Sequence, residues 1–372
     1  MPILTLLIGS LLGYANGAND NFKGVATLLG TGTTSYHRAL AWATLTTALG
    51  SVVALVLARG LLAAFSGKGL VPSAVIADPS FPLAVAAAAG ATVLLATRLG
   101  FPISTTHALI GGLVGAGLIA SPTGINYAKL GSGFLIPLLT SPFIAIALAG
   151  GIYPPLRFLR RKLGIEQETC VCIGDKVAGV VPGTPGSAVA MSMVSTPEIR
   201  VATDVSCNVR YRGSVAGVSA RWLLDVSHYL SAGVVSFARG LNDTPKIAAL
   251  LLVGGVVAPG AAILTVGVVM AVGGILSARR VAETMSHRVT TMNPGQGLTA
   301  NLITGLLVVG ASQMGMPVST THVSCGSLFG IGTVTGQANG STIRQILLAW
   351  AITLPVAGVL AALFFVLFRM VG

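Results

Sequence analysis

A chain of 372 residues in which 53% are hydrophobic and 9% charged lies far from the roughly 25% charged content of soluble domains, and reads as built for lipid. Its formal net charge of +12 raises nucleic acid as a partner, but the basic residues flank apolar runs without interleaved aromatics or a recognition fold, which excludes that class. The 48 glycines and 18 prolines suit membrane helices, where neighbouring helices satisfy broken backbone bonds and small residues allow close packing.

Met1 leads straight into an apolar run with no basic leader or small-residue cleavage site, so the first segment is expected to be retained. From Ile3 the chain is apolar for only about half a crossing before it meets Asn16-Gly17-Ala18-Asn19-Asp20-Asn21. Windows of about 20 apolar residues, the length of a spanning helix, fall at 39–65, 134–153, 250–276 and 343–368. Further polar stretches sit inside apolar sequence at Pro102-Ile103-Ser104-Thr105-Thr106-His107, at Asn242-Asp243-Thr244 and at Pro317-Val318-Ser319-Thr320-Thr321-His322. Helices are expected to break at all four polar stretches.

Residues 163–217 differ: acidic residues, valines and Val181-Pro182-Gly183-Thr184-Pro185-Gly186 read as an inserted loop with some strand, either a linker or a regulatory module. Arg157, Arg160, Arg161 and Lys162 before it, with Arg200, Arg210, Arg212 and Arg221 towards its end, place it in the cytoplasm. Cys170, Cys172 and Cys207 lack a zinc-site spacing and an obvious fourth ligand, and read as cytosolic thiols.

The sequence repeats itself. Asn19-Asp20-Asn21-Phe22-Lys23 returns 223 positions later as Asn242-Asp243-Thr244-Pro245-Lys246, and the Pro-x-Ser-Thr-Thr-His segment returns after 215, with Gly111, Gly115 and Gly117 falling on Gly326, Gly330 and Gly332. The expected fold is an all-α polytopic membrane protein of two inverted-topology repeats with discontinuous or re-entrant helices and roughly 10 to 12 crossings. Repeat one is assigned to 1–157, the cytoplasmic loop to 158–217 and repeat two to 218–372, with both chain ends facing outward.

Proline followed by Ser-Thr-Thr predicts the start of a half-helix, whose free N–H groups and positive dipole end favour an anion. Two such ends converging would cradle one tetrahedral oxyanion without a buried arginine. The alternative is that the hydroxyls satisfy only their own helices, and His107 and His322 read first as braces for these turns. Asp20 and Asp243 are carboxylates within apolar sequence, which are costly there and mark function. A hard cation such as Na⁺ with Asn19 and Asn242 would satisfy them, and so would pairing with Lys23 and Lys246. A carboxylate can also accept a hydrogen bond from the P–OH of phosphate, which sulfate cannot offer. Glu283, Gln296 and Asn301 have no twins in the other half and read as caps or an accessory cation site, and Asp225 and His228 as helix-end residues.

Gly17-Ala18-Asn19-Asp20, its counterpart Gly240-Leu241-Asn242-Asp243 and the paired Pro-x-Ser-Thr-Thr-His segments resemble the marks of the inorganic phosphate transporter family often called PiT; Leu241 departs from its pattern, where the family has Ala. The resemblance covers nearly the whole chain. It implies a transporter in the cytoplasmic membrane, usually a homodimer among lipids, that imports inorganic phosphate by symport with Na⁺ in some members and H⁺ in others, some relatives carrying sulfate, with no other cofactor. The family's anion site would map onto Asn21, Ser104, Thr105, Thr106, Thr244, Ser319, Thr320 and Thr321, and its Na⁺ sites onto Asn19, Asp20, Asn242 and Asp243. An intramembrane lipid-pyrophosphate phosphatase is the competing class, but it needs an asymmetric acid and base set, whereas both halves here carry the same groups.

Overall fold

The computed structural model describes residues 2–166, 169–181, 192–203, 218–253 and 257–371. Among them are ten helices of sixteen residues or more, five on either side of the insertion. The first five are α1 (Pro2–Asp20), α2 (Tyr36–Leu57), α3 (Ser80–Leu99), α4 (Thr105–Ala120) and α5 (Ile136–Lys162). The second five are α6 (Ala220–Leu252), α7 (Pro259–Ser277), α8 (Pro294–Gln313), α9 (Thr320–Thr335) and α10 (Gly340–Val371). Five stretches, Tyr36–Leu57, Ser80–Leu99, Tyr127–Lys162, Pro259–Ser277 and Gly340–Val371, are long and apolar enough to cross a membrane. The polarity is inverted relative to a protein made for water: Leu49, Val56, Val268 and Leu363 are exposed, while Asn16, Asp20, Lys23, Arg239, Asp243 and Lys246 are buried. This is a multi-pass membrane protein.

The chain divides into two units, Met1–Tyr153 with His228–Gly372, and Pro154–Ser227. The second holds three strands, β1 (Thr169–Val181), β2 (Ser192–Thr203) and β3 (Val218–Ser219), ordered β2-β1-β3. All pairings are antiparallel, with Thr169 opposite Thr203 and a register shift between Val177 and Gly179. The insertion thus carries the expected strand, and Cys170 is buried in β1. Residues 182–186, Cys207, Arg210 and Arg212 lie outside the described residues.

In the first unit, two of the expected breaks are built alike. α3 ends at Gly100, left-handed at φ 77°, and Phe101 N–H reaches back to Ala96 O at 2.9 Å. α8 ends before Gly315, left-handed at φ 67°, and Met316 N–H reaches Ala311 O at 2.9 Å. Both are glycine-terminated helix ends that satisfy their last carbonyls. Three non-helical residues follow each, and then Ser104 and Ser319, themselves extended, cap α4 and α9 by accepting from His107 N and His322 N, each at 3.1 Å.

Other expectations need correction. α1 continues through Asn16 to Asp20 and breaks only over residues 21–25, whereas α6 runs unbroken through Asn242, Asp243, Thr244 and Pro245 to Leu252. The local sequences explain the difference. Gly24, where a Cβ would lie 2.2 Å from Ser236 Oγ, loosens the first chain, while its counterpart Ile247 begins the apolar run Ile247-Ala248-Ala249-Leu250-Leu251, which sustains a helix past one proline. The 39–65 window ends at Leu57 because Ala58 leaves helical geometry before the charged Arg59. The 250–276 window joins the end of α6 to the start of α7, whose first position is Pro259; hydropathy alone does not register that helix start.

The paired glycines do more than accompany the motif. A Cβ at Gly111 or Gly115 of α4 would lie 2.2 Å from Leu354 O and 2.0 Å from Gly358 O of α10. At Gly326 or Gly330 of α9 it would lie 2.7 Å from Pro142 O and 2.4 Å from Ile146 O of α5. Each half-helix therefore packs on the last helix of the other half, backbone against backbone. Gly115→Ala and Gly330→Ala should each lower the melting temperature of the detergent-solubilised protein, an overpacking cost of about 1–3 kcal/mol. Gly310→Ala, which meets nothing within 4 Å in α8, should raise it through helix propensity. A rise at all three positions would rule out the close crossings.

Candidate functional site

Asn16 sits one turn before Asp20 on α1, and Arg239 one turn before Asp243 on α6, so each side chain shares a helix face with its carboxylate. The repeat offset makes Asn16 and Arg239 counterparts. In the fold they bond to each other: Arg239 Nη2 donates to Asn16 Oδ1 at 2.8 Å. The Asn16 amide then donates to Asp20 Oδ2 at 2.8 Å, Thr105 Oγ1 at 3.0 Å and Asp243 Oδ2 at 3.4 Å. One carboxamide thereby links both carboxylates. Arg239 Nη1 donates to Asn21 Oδ1 at 3.0 Å and Thr47 Oγ1 at 3.1 Å, and its Nε lies 3.8 Å from Asp243 Oδ2. Arg239 is 1% exposed, so a buried arginine, which the sequence reading did not include, stands beside the carboxylates.

The two lysines occupy matching positions. Lys23 Nζ donates to Asn19 Oδ1 and Ile103 O, both at 2.8 Å, to Thr321 Oγ1 at 2.6 Å, and to Asp20 Oδ1. Lys246 Nζ donates to Val318 O at 2.7 Å and Thr106 Oγ1 at 2.8 Å, and lies 3.7 Å from Asp243 Oδ1. Ile103 and Val318 are repeat counterparts, as are Thr106 and Thr321. Each lysine thus binds a carbonyl from its own half and a hydroxyl from the other. Pairing with lysine, the alternative weighed against a free cation, is the arrangement present.

Asn19 and Asn242 are also used alike. Asn19 Nδ2 donates to Thr97 Oγ1 at 2.9 Å, and Asn242 Oδ1 accepts from Ser312 Oγ at 3.2 Å, Thr97 and Ser312 being counterparts. Asn19 Oδ1 accepts Ile103 N–H at 3.1 Å, and Asn242 Nδ2 donates to Val318 O at 3.2 Å. Thr105 donates to Asp20 Oδ2 at 3.0 Å and Thr320 to Asp243 Oδ2 at 3.5 Å. Ser104 and Ser319 cap their own helices, while His107 and His322 lie ring against ring at 4.4 Å and His322 stacks on Trp350. Asn21 joins the cluster through Arg239. Thr244 does not: its hydroxyl pairs with Ser51 Oγ at 2.7 Å and contacts Met270 Sδ.

Sequence reasoning missed Asn16 and Arg239. The signal was available in the 223-residue offset, which sets one polar side chain against another inside apolar sequence. Of the weaker candidates, Gln296 forms a capping box with Asn293, and Asn301 and His228 meet at Thr27 in a separate polar cluster. Glu283 is exposed and pairs with Arg279 at 3.7 Å. It lines a cavity of ≈ 700 Å³ with Arg98, Arg279 and Arg280, whose wall includes Thr97. Through Thr97 this basic mouth touches the hydrogen-bond network of Asn19, and such a mouth concentrates anions.

Two half-helix N-termini and three cations face two carboxylates here. A profile described as the phosphate transporter family matches residues 16–361. The chain belongs to that family. A protein of Pyrococcus abyssi, provisionally named a phosphate permease, is 29% identical over 419 aligned positions that span 100% of this chain and 98% of that protein. The chloroplastic inorganic phosphate transporter 2-1 of Arabidopsis thaliana is 26% identical, with 97% of this chain and 71% of that protein covered. A solved structure described as the sodium-dependent phosphate transporter has the same fold, with a TM-score of 0.73, 19% identity and coverage of 100% and 99%. This chain is therefore a membrane transporter of the phosphate class, and the phosphatase alternative falls away.

Arg239→Met should destabilise the transporter by about 3–5 kcal/mol, because it strips a buried carboxylate of a charged partner. Adding Asp243→Asn should recover part of that loss. Thermal unfolding of both variants in detergent checks this, and a double variant less stable than Arg239→Met would mean that Asp243 does not depend on Arg239.

Proposed function

We propose that the chain imports inorganic phosphate through the seam between its two helix breaks, in symport with a small cation. The observation that carries this reading is the charge at the seam: Lys23, Arg239 and Lys246 are buried with Asp20 and Asp243, a formal excess of one positive charge beside two helix N-termini. Ser104, Thr105, Thr106, Ser319, Thr320 and Thr321 would present hydroxyls and N–H groups to the anion, with Asn21 held by Arg239 on one side. Thr244, bonded to Ser51, would act on packing in this conformation. Asp20 or Asp243 would accept a hydrogen bond from P–OH, which favours phosphate over sulfate.

The coupling cation has two readings. Na⁺ is supported by the oxygens of Asn19, Asp20, Asn242 and Asp243 and by the name of the structural neighbour. H⁺ coupling without Na⁺ is supported by the ammonium groups already seated against those oxygens. A homodimer in the cytoplasmic membrane belongs to the same proposal.

Alanine at Ser104, Thr105, Ser319 or Thr320 should weaken phosphate affinity by about 1–3 kcal/mol each, the scale of a hydrogen bond to a charged group. Uptake of radiolabelled phosphate into proteoliposomes, with sulfate as competitor, measures both points. Four variants with parental affinity would move the anion site elsewhere, and full competition by equimolar sulfate would remove the P–OH argument.

A further inference from the structure

We infer that Lys23 and Lys246 are tethered cations seated where a free cation would bind, so that this transporter binds phosphate without Na⁺. The inference rests on the phosphate reading and narrows its coupling. Around Lys23 Nζ stand a carboxylate oxygen of Asp20, an amide oxygen of Asn19, the Ile103 carbonyl and the Thr321 hydroxyl. That mixture of oxygens is what a hard cation takes, and an ammonium group uses its three protons on the same acceptors. Around Lys246 Nζ stand the Val318 carbonyl and the Thr106 hydroxyl, with Asp243 Oδ1 at 3.7 Å. The carboxylates that would draw Na⁺ therefore already hold a cation from three residues further along the chain.

Na⁺ could enter the Asn19 and Asp20 set only by evicting the ammonium or by sharing the space with it. Lys23 is 3% exposed and Lys246 1%; eviction within the fold leaves a buried charge unpaired, and sharing sets like charges side by side in a medium of low dielectric. The balance at the seam points the same way. Three fixed cations against two carboxylates leave one positive charge, which a singly charged phosphate neutralises. Two added Na⁺ ions would raise the excess to three.

The test is direct binding of radiolabelled phosphate to the purified transporter in lipid nanodiscs, in sodium chloride and in choline chloride at one pH. The parent should bind with affinities equal within about twofold in the two salts, since Na⁺ has no differential contact to offer. Lys23→Asn and Lys246→Asn open the seats and should bind weakly in choline, with affinity raised about tenfold or more by Na⁺ through linkage. Lys23→Arg, which keeps the charge, should stay insensitive to Na⁺. A parent whose affinity falls tenfold in choline overturns the inference, as do Asn variants that match the parent in choline. If the Asn variants do not fold, the parent comparison alone decides. A parent that binds no phosphate in either salt removes the phosphate reading itself, a result distinct from Na⁺-dependent binding.

Discussion

A charge buried within membrane-spanning sequence must find its partner inside the protein, and the fold is arranged around meeting that condition five times over. Asp20, Lys23, Arg239, Asp243 and Lys246 are each no more than 3% exposed, where an unpaired ion would cost several kcal/mol. No single helix holds enough partners. α1 brings Asp20 and the turn after it brings Lys23, α6 brings Arg239, Asp243 and Lys246, and the two broken segments add the carbonyls of Ile103 and Val318 and the hydroxyls of Thr106 and Thr321. The left-handed glycines at 100 and 315 exist in this light to free those carbonyls from helical bonding and turn them towards the ammonium groups.

Duplication explains how a chain of modest length assembles such a network. A contact that one half makes to the other is made again in return: Lys23 to Thr321 and Lys246 to Thr106, α4 to α10 and α9 to α5. Where the halves diverge, the divergence is chemical. At one repeat position the first half has Asn16 and the second Arg239, and these two meet. Two arginines there would repel, and two asparagines would leave both carboxylates without a second cation. The pair of unlike residues supplies a donor for each carboxylate and a single added charge.

Much of this was legible in sequence because it depends on local chemistry. Pro-x-Ser-Thr-Thr-His specifies a break followed by a serine-capped half-helix, and both copies fold that way. The glycine spacing Gly111 and Gly115 against Gly326 and Gly330 marked the tight helix faces, although it could not say which helix each would meet, since that choice is made by tertiary packing. The break expected at Asn242 was misplaced because polarity was read as disruption. A helix carries polar side chains without strain when they face partners, and the apolar residues after Lys246 favour its continuation. Arg239 went unseen because single-residue reasoning treats a lone arginine near a span as a boundary marker, and only the offset to Asn16 shows that it lies one turn from Asp243, inside.

The same lysines that neutralise the carboxylates also close the seam between the halves. Thr106 and Thr321 are wanted twice: their hydroxyls accept from Lys246 and Lys23, and they lie in the first turns of α4 and α9, where an anion would find free N–H groups. Under the proposed function, an anion entering there would draw the two ammonium groups towards itself and compete for the contacts that hold one half to the other. Its differential affinity for conformations in which those contacts are loosened would then be the means by which it shifts the equilibrium. Anion binding and the release of the inter-half latches would in this way be the same rearrangement of hydrogen bonds, made around two ammonium groups that belong to the chain itself.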